Sequence, residues 1–366
     1  MSILLFFIIL VVLIVSHEFG HFIVAKFAGI RVDEFGLGFP PRIAGIRKGD
    51  TLYSINWLPF GGFVRIYGED GVEIVETSAL QAHSFAHKPK WVQAAVIAAG
   101  VSFNLLLAWV LISVGLVSGF PTPVAGAPSG AAIEDVRLLV TSVEPESPAG
   151  RVGLKTGDSL VFLATAIDVL QGTPLQPEGV QDFIARHGAE SITIGYRRGD
   201  GEPRTVNAIP ETGIFGDSPA IGISMDVIGI ATLPIHRALI EGVRVTGSLT
   251  LGTARALGVF AKGIFTGDSS FSSITGPVGI IGIVGDASEI GFIYLLGLTA
   301  LISINLAIIN LVPFPALDGG RLLFLVAEKL KGSPINPRTV AGLNTAGFVA
   351  LLFFMAVITY LDILKL

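Results

Sequence analysis

Ser2-Ile3-Leu4-Leu5-Phe6-Phe7-Ile8-Ile9-Leu10-Val11-Val12-Leu13-Ile14-Val15-Ser16-His17-Glu18-Phe19-Gly20-His21 follows the initial methionine. Fourteen uncharged residues, Ser2 to Val15, lead into two histidines that bracket a glutamate, and the apolar run resumes as far as Lys26. A helix of about 24 residues is about 36 Å long, enough to cross a hydrocarbon core of about 30 Å. The basic start and small-residue cleavage site of a secretory signal are both missing from this stretch, which is therefore expected to be a membrane helix.

Composition extends that reading to the rest of the chain. Of 366 residues, 51% are hydrophobic and 14% charged, against about 25% charged in a typical soluble domain. Three further stretches are long and almost free of charge: Trp91 to Val117, Ile290 to Leu311 and Ala341 to Leu361. The lipid bilayer is thus the first expected partner. A net charge of -5 without long acidic or basic runs gives no footprint for nucleic acid. Cysteine is absent, so any metal must be held by His, Asp or Glu.

Between the first two spans, residues 31–90 are rich in Gly, Pro and aromatics, including Phe35-Gly36-Leu37-Gly38-Phe39 and Phe60-Gly61-Gly62-Phe63-Val64. The alternation of Tyr53, Ile55 and Trp57 predicts short strands and hairpins, forming a small sheet that dips into the membrane beside the first helix. Residues 119–289 are the longest stretch without a span. Within them Val136 to Pro210 reads as a compact domain of strands, with one helix near Val180 to Arg186 and a polar turn at Arg198-Gly199-Asp200-Gly201. Its Val143-Glu144-Pro145-Glu146-Ser147-Pro148-Ala149, followed by Gly153-Leu154-Lys155-Thr156-Gly157-Asp158, resembles the PDZ pattern, placing one such domain at about 136–212. From His236 to Phe265 the charges Arg237, Glu241, Arg244, Arg255 and Lys262 fall within about 60° of one another at about 100° per residue. That pattern predicts an amphipathic helix lying on the membrane rather than through it.

Orientation follows from the short loops. Lys26 to Lys90 carries eight Lys or Arg and Pro313 to Val340 carries four, with none ahead of the first span. The positive-inside rule places both loops in the cytoplasm and the N-terminus and PDZ-like region outside.

His17-Glu18-Phe19-Gly20-His21 is an H-E-x-x-H pattern. On a helix, positions i and i+4 share a face, so both imidazoles reach one Zn²⁺ while Glu18 is placed to act on water. The pattern alone is common, but three ionisable residues inside a membrane helix are costly and mark function. The alternative is a set of polar side chains satisfied within a helix bundle. A catalytic zinc needs a third protein ligand. Asp318 is a candidate, in the stretch from Asn305 through Asn310-Leu311-Val312-Pro313-Phe314-Pro315-Ala316-Leu317-Asp318-Gly319-Gly320; taken alone, a plain cap or turn carboxylate ahead of two glycines is the more common use of an aspartate.

H-E-x-x-H in a first membrane helix, N-x-x-P-x-P-x-L-D-G-G near the end of a later one and a PDZ domain between them resemble the site-2 protease family of intramembrane zinc proteases. Nearly the whole chain takes part, and the bacterial regulator of sigma-E protease is the most similar subgroup. The resemblance implies that His17, His21 and Asp318 bind Zn²⁺, that Glu18 is the general base, and that Asn310 contacts the substrate backbone or the developing oxyanion. Gly100 and Asn104 fall on an A-G-P-x-x-N pattern of the second helix, with Val101 in place of the usual proline. Asn104 and Asn305 are expected to touch substrate, together with Phe35, Gly36, Gly61 and Gly62 of the hairpin region. The implied activity is cleavage of transmembrane segments of single-pass membrane proteins already trimmed by another protease, such as anti-sigma factors or remnant signal peptides. The implied location is a bacterial inner membrane.

The expected fold is therefore membrane α-helical: four transmembrane helices, a membrane-associated β-hairpin region and one periplasmic PDZ domain of α+β type. The expected divisions are 1–118, 119–227, 228–289 and 290–366. Other readings absorb fewer residues. A membrane scaffold leaves the intramembrane His, Glu and Asp unexplained, and a metal transporter needs several sites where one cluster is visible. His83 and His87 are read as solvated, His187 and His236 have no evident partner, and Ser273 to Gly279 is expected to be a loop or helix-entry turn ahead of the third span.

Overall fold

The computed structural model describes residues 2–69, 78–144, 146–172, 174–199, 201–266 and 275–364. Pro145, Asp200 and the Ser273-Ile274 start of the expected entry turn lie outside them. In chain order the elements are α1 (Ser2–Phe27), β1 (Val32–Lys48), β2 (Thr51–Ile66), α2 (Ser78–Gln81), α3 (Lys90–Ser118), β3 (Phe120–Pro123), β4 (Ala132–Val143), α4 (Pro148–Arg151), β5 (Asp158–Ala164), β6 (Val169–Gln171), α5 (Pro177–Arg186), β7 (Ile192–Arg198), β8 (Arg204–Ala208), β9 (Ile223–Thr232), α6 (Ile235–Thr266), α7 (Pro277–Ile290), α8 (Phe292–Leu311), α9 (Asp318–Lys331) and α10 (Pro337–Leu364). Among the described residues four helices, α1, α3, α8 and α10, are long and apolar enough to cross a membrane. At 32 residues α6 is longer than any of them, yet it is not one of the four. The chain forms two compact units, one of residues 1–111, 243–284 and 299–366, the other of residues 112–242 and 285–298.

In the first unit, α1 ends where Gly29 adopts φ +66. Ile30 N then donates to Ala25 O at 2.9 Å and Gly29 N to Lys26 O at 3.0 Å, which satisfies carbonyls the helix leaves open. Close approach of α1 to α3 depends on Gly20, where a Cβ would sit 2.4 Å from Ala99 O; small residues let membrane helices meet backbone to backbone. Phe22, Ala25, Ile30, Val32, Ile66, Phe85, Val96 and Ile97 form the core beneath this contact.

The two strands of this unit bend enough to make more than a hairpin. Residues 34–37 of β1 pair on one side with 52–55 and on the other with 62–65 of β2, while 42–48 pair with 51–56. Among the described residues, 62–66 therefore have β1 on one side and no strand on the other. The buried carboxylate of Glu34 fastens the bend, accepting from Ser54 Oγ at 2.6 Å and Arg42 at 3.0 Å.

Pro277 begins a helix of 14 residues, so the loop or turn expected at 273–279 is, from Pro277 on, the first turn of α7. Proline suits a first helical position because its missing N–H is not needed there. The carboxylate of Asp362 in α10 accepts from Gly276 N at 3.1 Å and Gly279 N at 2.9 Å, and so caps α7 from another element. Gly291, at φ +148, separates α7 from α8.

In the second unit the strand order is β3-β9-β4-β5-β7-β8, with β6 on β5, and every pairing is antiparallel. Leu138, Leu160, Leu163, Ile192, Ile194 and Ile223 pack with Val180, Phe183 and Ile184 of α5 into one core. The sheet reaches past the expected limits of 136–212, because β3 precedes them and β9, paired with β4 along its length, follows them. The unit boundaries fall elsewhere than the divisions expected at 118, 227 and 289, inside α3, α6, α7 and α8.

Candidate metal centre and active site

α1 turns His17 and His21 toward the start of α9. His17 Nε2 lies 3.2 Å from His21 Nε2. Asp318 Oδ2 lies 3.2 Å from the first and 3.4 Å from the second. Ligand atoms about 2.0–2.1 Å from a tetrahedral ion are about 3.3 Å from one another, so the three spacings are those of one face of a zinc tetrahedron. A second observation agrees: Asp318 Oδ2 is buried and accepts no hydrogen bond. A carboxylate oxygen in that condition is costly unless a cation completes it. Each of the three side chains is 12% exposed.

The asparagine-proline stretch shows how Asp318 is held. After α8 ends at Leu311 the chain breaks around Pro313 and Pro315 and restarts at Asp318, so this residue heads a helix instead of lying in a turn. A Cβ on Gly319 would sit 2.3 Å from both Leu311 O and Val312 O, and one on Gly320 would sit 2.2 Å from Phe314 O. The two glycines thus let α9 start directly on the backbone of the break. Ala316 adopts φ +73 and donates its N–H to Asn344 Oδ1 of α10 at 3.1 Å. Gly347 of α10 lets Pro315 O approach to where a Cβ would be 2.5 Å away. At the other end of α9, Glu328 accepts from Lys90 Nζ at 2.5 Å and from Ile335 N at 3.0 Å. Burial pushes the Glu328 carboxyl up, but these two donors outweigh it and hold the group below its usual range.

A cavity of about 340 Å³ opens on the centre. Glu18 lines it beside His17 and His21, as do Asn310 of α8, Phe39, Gly61, Gly62, Val64 and Ile66 of the sheet, and Arg321 and Glu69. Gly62 sits against Glu18, since a Cβ there would be 3.4 Å from Glu18 Cγ. Arg321 pairs with Glu69 across 252 residues, a partnership with no signal in the sequence. Gly100 is the floor of the metal centre: a Cβ would lie 2.4 Å from His21 Nε2 and 2.7 Å from His17 Cε1. Gly100→Val is therefore expected to abolish zinc retention, read as zinc per chain after dialysis. Stoichiometric zinc in that variant would contradict the placement.

Four of the residues expected to touch substrate do not line the cavity. Phe35 packs its ring on Phe22 at 5.3 Å, partly buried against the core. Gly36 is covered by the Phe63 ring, which would lie 2.5 Å from a Cβ. Asn104 is fully buried and meets His17 instead. Asn305 is one helical turn and a half from Asn310 along α8, on another face. Gly61 and Gly62 do line it. His83 lies apart from the centre, its Nδ1 being 2.9 Å from Gly29 O. His187 has two carboxylate partners, Asp168 and Glu190, both at 3.2 Å.

The sequence model of peptidase family M50 matches residues 5–354. The zinc metalloprotease RasP of Geobacillus kaustophilus is 27% identical, over all of this chain (100%) and 98% of its own length. Two proteins with names in the zinc metalloprotease class are also similar. The one from Clostridium acetobutylicum is 31% identical over 96% of this chain and 94% of its own. The one from Nostoc sp. is 33% identical over 96% and 93%.

Proposed function

This chain belongs to peptidase family M50, the site-2 zinc metalloproteases, and from that premise we propose that it is an intramembrane endopeptidase cutting the transmembrane segments of other membrane proteins. The observation that carries the reading is the meeting of His17, His21 and Asp318 beside Glu18, on a helix apolar enough to span a bilayer.

In this reading His17, His21 and Asp318 hold the zinc. The ion supplies Lewis acidity, which brings the pKa of the attacking water toward about 7 and polarises the scissile carbonyl. Glu18 takes the proton from the water as its oxygen attacks the carbonyl carbon, and returns it to the leaving amide nitrogen as the C–N bond breaks. Asn310, on the same cavity wall, offers its carboxamide N–H to the carbonyl oxygen as negative charge grows there.

Peptide bonds in a membrane helix are shielded by its own hydrogen bonds. The segment to be cut is therefore taken up unwound, in the cavity that opens on Glu18 and the two histidines. Residues 62–66, paired on one side only and lining the cavity at Gly62, Val64 and Ile66, are where that segment adds as a strand. A photo-crosslinking residue at Val64 is expected to capture substrate; no adduct there would remove strand addition from the mechanism.

The second unit acts as a PDZ domain on the extracytoplasmic side, admitting or recognising trimmed ends. Substrates are single-pass proteins of the bacterial inner membrane already cut by another protease, including anti-sigma factors and remnant signal peptides. The test is to map the cut. Purified protein in lipid bilayers is given a single-span substrate, and product masses locate the bond. The expected bond lies inside the span; a bond outside it, or none broken, contradicts the proposal.

A further inference from the structure

Metal ligation by a histidine fixes where its other proton sits. To bind through Nε2, an imidazole must carry its proton on Nδ1, and something must accept that proton. For His21 the acceptor is evident: Nδ1 is 2.8 Å from Val96 O, and a carbonyl oxygen can only accept. His17 has a side chain in that place. Its Nδ1 faces the carboxamide of Asn104 at 3.2 Å, two turns further along the same helix, α3.

Asn104 is built in firmly. It is 0% exposed, and its backbone O accepts from Ser303 Oγ of α8 at 2.8 Å, with Ser303 itself 0% exposed. The neighbouring Phe103 O accepts from Ser16 Oγ of α1 at 3.2 Å. So α3 is tied at this level both to the helix that carries His17 and to the helix that carries Asn310. A substrate cannot reach a side chain so enclosed.

The two ends of a carboxamide have the same shape, so partners decide which end faces His17. With the nitrogen toward Nδ1, Oδ1 is buried without a hydrogen-bond partner; with the amide turned over, Nδ2 takes its place. Satisfaction of the amide alone does not choose between them. The ion does: His17 Nε2, 3.2 Å from both His21 Nε2 and Asp318 Oδ2, must offer a lone pair, and a donor amide against Nδ1–H would be repelled.

We propose that Asn104 is a positioning residue of the metal centre, its carboxamide oxygen accepting from His17 Nδ1–H and thereby leaving His17 Nε2 free for the ion. The inference rests on the assignment of His17, His21 and Asp318 as ligands. It gives the second helix a chemical role, equivalent to that of Val96 O for His21, and it explains why an asparagine sits where only an acceptor is needed.

Zinc affinity of the purified full chain, measured by competition with a chromophoric chelator, tests it. Asn104→Leu keeps the shape and loses the acceptor; its zinc affinity is expected to fall about 10–100-fold. Asn104→Asp keeps an acceptor and is expected to bind zinc like the wild type, a rescue that a mere packing role does not give. Thermal unfolding of the zinc-free proteins reports whether each variant is folded. Wild-type affinity in Asn104→Leu overturns the proposal, and so does a folded Asn104→Asp as weak as Asn104→Leu. If Asn104→Leu does not fold, Asn104→Ala takes its place in the comparison, with the same about 10–100-fold loss expected and wild-type affinity overturning the proposal. A wild-type protein that takes up no zinc would instead sink the ligand assignment itself.

Discussion

Glu18→Gln is expected to leave zinc in place and to lower cleavage of a membrane-spanning substrate about 10²–10⁴-fold, the range that general acid–base catalysis contributes. Glutamine has the shape of glutamate, so the contact with Gly62 and the path of α1 are undisturbed. What disappears is the carboxylate that takes the proton. The other carboxylates on the cavity wall are already engaged, Asp318 against His17 and His21 and Glu69 in its pair with Arg321. Zinc per chain and initial rate, measured on the same preparation, separate the two effects. A rate within a few-fold of wild type would remove Glu18 from the mechanism.

Asp318→Ala is expected to cost the metal itself. The variant leaves two imidazoles where a catalytic zinc needs three protein ligands, and it removes the only anionic member of the set. Loss of an outer-shell partner already weakens metal binding about 10–100-fold, so loss of a ligand is expected to exceed that. The fold has reason to survive, because α9 is seated by Gly319 and Gly320 on backbone and by the contact of Pro315 with Gly347, none of which involves the Asp318 side chain. Chelator competition gives the affinity, and circular dichroism reports the helices. Unchanged affinity would leave Asp318 a plain carboxylate at the head of α9, with no part in holding the metal.

The contrast between those two readings of Asp318 shows how far sequence reaches. Membrane helices are legible because lipid imposes one long apolar stretch on each, and α1, α3, α8 and α10 begin and end within about four residues of the hydropathic stretches. The pair His17 and His21 is legible because helical spacing puts i and i+4 on one face. Asp318 lies 301 positions from His17, and no local pattern fixes a contact at that range. Its place depends on the break at Pro313 and Pro315, on two glycines pressed against carbonyls and on Asn344 and Gly347 of another helix.

The same limit accounts for what local patterns leave open. β9 pairs with β4 across 80 to 100 residues, so a boundary drawn from local turn signals stops short of it. The first turn of α7 looks like a loop because its cap, Asp362, comes from α10 rather than from a residue just ahead of Pro277. Phe35 and Gly36 share a Gly-aromatic character with Gly61 and Gly62, but β1 is the inner strand of the bent sheet and β2 supplies the edge. Alternation identifies strands; it does not say which one faces a cavity. Asn104 has the residue type of a substrate contact, and only the fold shows it enclosed against His17 Nδ1.

The most direct test of the zinc centre is metal removal and return on a single sample of the purified full chain in bilayers, with zinc and substrate cleavage followed together. Zinc held by His17, His21 and Asp318 predicts that cleavage falls in step with chelated zinc and returns in full when one equivalent per chain is restored. Cleavage that persists in zinc-free protein, or that fails to return with stoichiometric zinc in protein that remains folded, would contradict it.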